Sequence, residues 1–164
     1  MKNFYRIIIL TVSLLLLCSC ASEEKRCEDI ALSLCAELEL PAGQLYCKDE
    51  SAEPPRTLPA DTVKIMYGNE GERVFGLLED YAIYLCETGM PYEVAVFRTY
   101  SVSESDSVAL LCLERADTLS VLLRDGEYAD TVRNAKILSR GRYTVMVIAP
   151  DFEKAEEIAE RLIK

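Results

Sequence analysis

Apolar residues recur at Cys27, Ile30, Ala31, Leu34, Cys35 and Leu38, the i, i+3, i+4, i+7 spacing of one helical face. Glu28, Asp29 and Glu37 occupy the other faces. A helix lying on a membrane would want Lys or Arg beside its stripe, so carboxylates at these positions predict a helix packed on the protein itself. From Pro41 to Pro59 the pattern gives way to Pro, Gly and charge, including Lys48-Asp49-Glu50 and Pro54-Pro55. That composition predicts a connector without regular structure. Ala60 to Tyr67 predicts a short helix stopped by Gly68, and the stretch on to Gly76 fits neither period.

The rest of the chain has a rhythm. Tyr81 to Cys86 and Tyr92 to Phe97 are β-branched and aromatic runs on either side of Glu87-Thr88-Gly89-Met90-Pro91, a hairpin signal. Ser103-Glu104-Ser105-Asp106 resembles a capping box, and Val108, Leu111, Cys112, Arg115, Leu119 and Leu122 follow at helical spacing. A second hairpin is predicted from Ala135 to Leu138 and Tyr143 to Ala149 around Ser139-Arg140-Gly141. Asp151 then caps a closing helix whose inward face is Phe152, Ala155, Ile158, Ala159 and Leu162. The order ββα occurs twice, which predicts an α+β fold: two ββα units forming a mainly antiparallel four-stranded sheet, both long helices on one face, plus the N-terminal helix. A bridge between Cys86 and Cys112 would be compatible with this arrangement.

Two strands complicate that arrangement. Val145 and Val147 point one way and Met146 and Ile148 the other, and Val94, Ala95, Val96 and Phe97 repeat the pattern. An antiparallel strand with one wet face alternates more cleanly. The second face therefore needs a cover, either the N-terminal helix with its connector or a partner protein or second copy docking at residues such as Val145 or Met146.

The first twenty residues carry a different message. Lys2 and Arg6 precede an apolar run from Ile7 to Leu17 that is long enough for an export signal and too short to span a bilayer stably. Leu17-Cys18-Ser19-Cys20 follows, and it resembles the lipobox of bacterial lipoproteins, in which the last cysteine is acylated and becomes the mature N-terminus. Cys20 is the better acceptor, because choosing Cys18 would put Leu17 where a small residue is needed. The reading divides the chain into a signal peptide at 1–19, an anchor, helix and connector at 20–57, and an α+β domain at 58–164. It places the protein on the extracytoplasmic face of the cell membrane, held by a fatty acyl group, with about 20 Å of extended chain between lipid and helix.

Composition narrows the function. Loss of Lys2 and Arg6 with the signal takes the formal charge from −10 to near −12. So acidic a body is expected to repel phosphate polymers and anionic lipid headgroups and to offer no basic patch, and nucleic acid is not an expected partner. The chain has no histidine, which excludes Ser-His-Asp and Cys-His machinery and histidine-bearing zinc sites. No metal site, cofactor or catalytic residue is predicted. The cysteines beyond the anchor, Cys27, Cys35, Cys47, Cys86 and Cys112, show no Cys-x-x-Cys spacing and read as small core residues.

Lys64-Ile65-Met66-Tyr67-Gly68, Tyr81-Ala82-Ile83-Tyr84, Glu93-Val94-Ala95-Val96-Phe97-Arg98, Asn134-Ala135, Gly141-Arg142-Tyr143 and Asp151 together resemble the landmarks of a bacterial lipoprotein family catalogued as domain of unknown function 4358. The resemblance covers about residues 27 to 164 and implies a small extracytoplasmic lipoprotein, with no activity to carry over. Within it Glu93, which opens an apolar strand, matches an acidic landmark. It is expected to pair with Arg98 or Arg142 across the sheet, or to accept backbone hydrogen bonds at a strand end. These readings converge on a membrane-tethered, non-enzymatic interaction or accessory module of the cell envelope, with an envelope protein or another copy as partner. The alternative is a hydrolase of envelope polysaccharide using Glu79, Asp80, Glu87 and Glu93 as paired carboxylates.

Overall fold

Runs of β-branched and aromatic residues favour the pleated, half-buried surface of a strand, and such runs form the central strands of the sheet in this protein. The computed structural model describes residues 24–49, 56–87 and 89–164. The expected signal peptide at 1–19, the expected acceptor Cys20 and the Pro54-Pro55 stretch lie outside the described residues. Strands β1 Gly43–Cys47, β2 Leu78–Cys86, β3 Glu93–Thr99, β4 Lys136–Arg140 and β5 Tyr143–Ile148 form one sheet in the order β1-β2-β3-β5-β4, and every neighbouring pair is antiparallel. Six helices surround it among the described residues: α1 Cys27–Glu37, α2 Ala60–Tyr67, α3 Gly71–Phe75, α4 Ser105–Leu122, α5 Ala129–Arg133 and α6 Phe152–Leu162.

The fold is α+β, as the pattern predicts, but its layers differ from the expected ones. Ala82, Tyr84, Val94, Val96, Val145 and Val147 turn to one face and meet Cys27, Ile30, Ala31 and Leu34 of α1 with Ala155, Ile158 and Ala159 of α6. Tyr81, Ile83, Ala95, Phe97, Met146 and Ile148 turn to the other and meet α2, α3, α4 and α5 through Val63, Tyr67, Val74, Leu111, Cys112 and Val132. The sheet thus lies between two helical layers. The two long ββα helices, expected on one face, sit on opposite faces. The reason is topological: β5 is antiparallel to both β3 and β4, so β3 and β4 run the same way and α4 carries the chain between them on one side. Helix α6 is left to share the other side with α1.

The fifth strand is the second correction. Gly43–Cys47 belongs to the segment expected to be an unstructured connector, yet it pairs with β2 from Gly43 opposite Cys86 to Cys47 opposite Ala82. An edge strand needs few apolar residues, and only Cys47 of these five is buried, which is why the composition hid it. Gly43 is required by close approach, because a Cβ there would lie 2.4 Å from the Tyr84 ring and from the Leu85 carbonyl oxygen. The Tyr84 hydroxyl donates to the Pro41 carbonyl beside it.

Local signals fare better. Helix α1 places Glu28 and Asp29 in its first turn, where carboxylates suit the helix dipole, and buries the predicted Cys27, Ile30, Ala31 and Leu34. Gly68, at φ 72°, stops α2 as expected, and the Asp151 side chain accepts from the Lys154 N–H at 3.0 Å to cap α6. The capping box lies two residues before the expected place, with Ser101 and Glu104 as its partners around a single 3₁₀ turn ahead of α4. The five described cysteines are all thiols. Cys86 packs against the α1 and α6 core while Cys112 is buried in the other, so the sheet separates the pair that seemed able to bridge. Burial pushes the Cys35 thiol up to about 12 and raises those of Cys27 and Cys112 further.

Two outcomes follow for stability, both read by urea unfolding of the chain from Ala21 to Lys164. Leu34 is wholly buried between α1 and the sheet, so Leu34→Ala should destabilise by about 2–5 kcal/mol. Val145 and Met146 are both at 0% exposure on opposite faces, so Val145→Glu and Met146→Glu should each unfold the protein. A folded Met146→Glu protein would mean that the second helical layer does not cover β5.

Candidate functional site

Period-two geometry decides which residues Glu93 can reach. It stands opposite Leu85 of β2 and Ile148 of β5 and shares a face with Ala95 and Phe97; Arg98, an odd number of residues on, faces the other way. The expected partners Arg98 and Arg142 are therefore replaced by Arg115, on the inward side of α4. Arg115 donates from Nε at 3.1 Å and Nη2 at 2.8 Å to one carboxylate oxygen, and the Tyr67 hydroxyl donates to the other at 3.2 Å. Glu93 is only 2% exposed. Burial, and secondarily the Glu93 charge, raises the Tyr67 phenol well above its ordinary value, so it stays neutral and serves as donor.

This triad ties α2, β3 and α4 together inside the second core. Phe75 and Phe97 flank Tyr67 with ring centroids at 5.4 and 6.2 Å, so the phenol is packed as well as hydrogen-bonded. Outside it, a cavity of about 220 Å³ is bounded by Met66, Tyr67, Glu114, Arg115 and Thr118. The carboxylate itself lies behind the guanidinium, with both oxygens engaged. The sequence signal for Arg115 was a cation in the apolar stripe of α4, one turn after Leu111, next to a strand opened by a lone carboxylate.

Arg98 joins a different cluster at the far end of β3. Its Nε lies 3.3 Å from Glu79, and its Nη1 donates to the Tyr143 hydroxyl at 3.4 Å and the Lys25 carbonyl at 3.2 Å. Arg142, in the turn between β4 and β5, donates to both Glu79 and Glu24. The Arg142 hydrogen bond holds the Glu24 carboxyl below the usual range, so this clamp is intact above that range and loosens as pH falls through the lowered value. The Tyr143 hydroxyl donates to the Lys25 carbonyl at 2.7 Å, and Asp80 accepts from the first N–H of α1 at 2.9 Å. The residues leading into α1 are thereby stapled to the end of the sheet.

The four carboxylates weighed as a catalytic set do not converge. Glu79 and Asp80 lie at one end of the β2–β3 hairpin and Glu87 and Glu93 at the other, about 20 Å apart at strand rise. That separation exceeds the roughly 5–9.5 Å of paired glycosidase carboxylates, so no such pair can be drawn from the two ends together. Among the described residues no three His, Cys, Asp or Glu side chains gather to hold a metal ion. Val145 and Met146 are core residues beneath the two helical layers, and Cys20 lies outside the described residues.

A double-mutant cycle on the triad tests its role. Removing one partner strands a buried charge, so Glu93→Leu and Arg115→Met should each destabilise by about 3–5 kcal/mol, and the two combined should recover much of that loss. Additive losses in the cycle would show that the two side chains act independently.

No family model, curated protein or solved structure matches the chain.

Proposed function

We propose that the protein is a membrane-tethered module on the extracytoplasmic side of the cell membrane, anchored through an acylated Cys20, that acts by binding another envelope protein. The lipobox and the motif order that resembles the domain of unknown function 4358 lipoproteins support the setting. The observation that carries the binding role is the outer side of α4, where Leu110, Leu113 and Val121 are 56%, 50% and 67% exposed. A helix that is apolar on both sides has two packing surfaces, and the sheet occupies only one. Both sheet faces are filled by the chain's own helices, so a docking role moves from β5 to this helix.

Charge identifies the kind of partner. Asp106, Glu114 and Asp117, all exposed, lie on the same side of α4 as the three apolar residues. A second copy packed across this face would bring carboxylates against carboxylates. A different protein, with an apolar patch rimmed by Lys or Arg, is complementary to it.

Two measurements test the two halves of the reading. Cys20→Ala should abolish labelling of the protein by a fatty acid analogue; full labelling in that variant would refute Cys20 as the anchor. Leu113→Glu with Val121→Glu should keep the unfolding free energy in urea within about 0.5 kcal/mol of the parent, since both positions are exposed, yet remove the cross-linked species formed in intact cells. Unchanged cross-linking in the double variant would rule out α4 as the binding surface.

A further inference from the structure

The chain carries a net charge of −10, yet one end of the fold gathers cations. A cleft of about 370 Å³ opens there, and its lining includes Lys25, Arg140, Arg142 and Lys164, with Glu24 as its one acidic side chain. Glu24 is already engaged by Arg142, which also holds Glu79. Arg140 and Lys164 are exposed and make no ion pair among the described residues. Lys25 spends one N–H on the Leu162 carbonyl at 2.8 Å, and its ammonium has two more to offer. Glu160 borders the adjoining groove, which Arg140 and Lys164 also line, so the cationic side of the cleft is the one formed by the β4–β5 turn and the residues before α1. Val102, 62% exposed, forms an apolar part of the rim.

The place of this cleft in the chain is as informative as its charge. Glu24 and Lys25 form part of its wall and are stapled to the sheet through Arg142, Arg98 and Tyr143. Cys20 is four residues before Glu24, a reach of at most about 14 Å of extended chain. An acyl group on Cys20 would therefore hold this end of the protein within headgroup distance of the bilayer.

We propose that the cleft is the membrane-facing surface of the protein and binds the phosphate groups of anionic phospholipids through Lys25, Arg140 and Lys164. The proposal rests on the reading of Cys20 as the anchor. It gives the tether an orientation: the acidic bulk is turned away from the lipid surface, and α4's outer side is left accessible. The ligand chemistry is a phosphate ester with its charge exposed at a surface, which three separate cations at a cleft mouth suit better than an enclosed pocket would.

The test uses the chain from Ala21 to Lys164, which contains every described element and carries no acyl group, so the result does not depend on lipidation. It should co-sediment at low ionic strength with vesicles containing phosphatidylglycerol and not with pure phosphatidylcholine, and binding should fall as salt is raised. Each cation near an anionic surface contributes about fivefold, so Arg140→Glu with Lys164→Glu should weaken the partition by tenfold or more. Lys64→Glu, on α2, should leave it unchanged. Equal sedimentation with both vesicle types, or equal losses from Lys64→Glu and the double variant, would overturn the proposal. So would release from the vesicles by millimolar inorganic phosphate, with protection of Lys25 and Lys164 from amine labelling in its presence, because that pattern would make the cleft a site for free phosphate. Failure of the anchor reading shows separately, in the fatty acid labelling of Cys20→Ala.

Discussion

Strands β3 and β5 have no wet face, and most of the architecture answers to that constraint. Val94, Val96, Val145 and Val147 on one side and Ala95, Phe97, Met146 and Ile148 on the other are all within 1% of full burial. At roughly 25 cal/mol per Å² of apolar surface, neither side could be left in water without losing a large part of the folding free energy. The chain must therefore supply helices to both faces. The requirement draws α1 onto the sheet, sends α4 and α6 to opposite sides, and enlists the short α2, α3 and α5 as cover beyond the reach of α4.

The two cores are not equivalent. The one under α1 and α6 is apolar throughout its interior and keeps its charges at the rim, where Glu79, Arg98 and Arg142 pin the residues before α1. The other encloses the Glu93–Arg115 ion pair with Tyr67. Desolvation offsets much of the attraction in such a pair, so its main contribution is to geometry: α4 must place Arg115 against the start of β3, and α2 must bring Tyr67 to the second oxygen. Apolar contacts tolerate sliding of a helix along a sheet, and a guanidinium held by two N–H bonds to one carboxylate oxygen does not.

On the proposed function, the division of labour within the fold follows from these two cores. The sheet and its inner helix faces are consumed by folding. What remains for partners is the far side of α4, where apolar and acidic residues mix, and the cationic end where the chain enters α1. These surfaces lie on different elements and differ in charge, which allows one to meet lipid while the other meets protein.

Much of this was legible from residue order alone. Helix α1, the stop at Gly68, both hairpins, the Asp151 cap and the inward face of α6 depend on contacts a few residues apart, and short-range periodicity encodes those directly. The two-sided apolarity of β3 and β5 was also visible, together with the need for a cover. What the pattern could not decide was which parts of the chain meet across the fold. Strand β1 owes its structure to β2 and has too few apolar residues to announce itself. Glu93 looked available to Arg98 until the face on which each projects was fixed, and Arg115 looked like one more position in a helical stripe. The cations of the cleft are scattered from Lys25 to Lys164 in a chain of net charge −10, and only the folded backbone brings them to one end. Local periodicity determines elements because helix and strand repeat within a few residues; partners depend on distances set by the closure of the whole chain, and only the tertiary structure decides those.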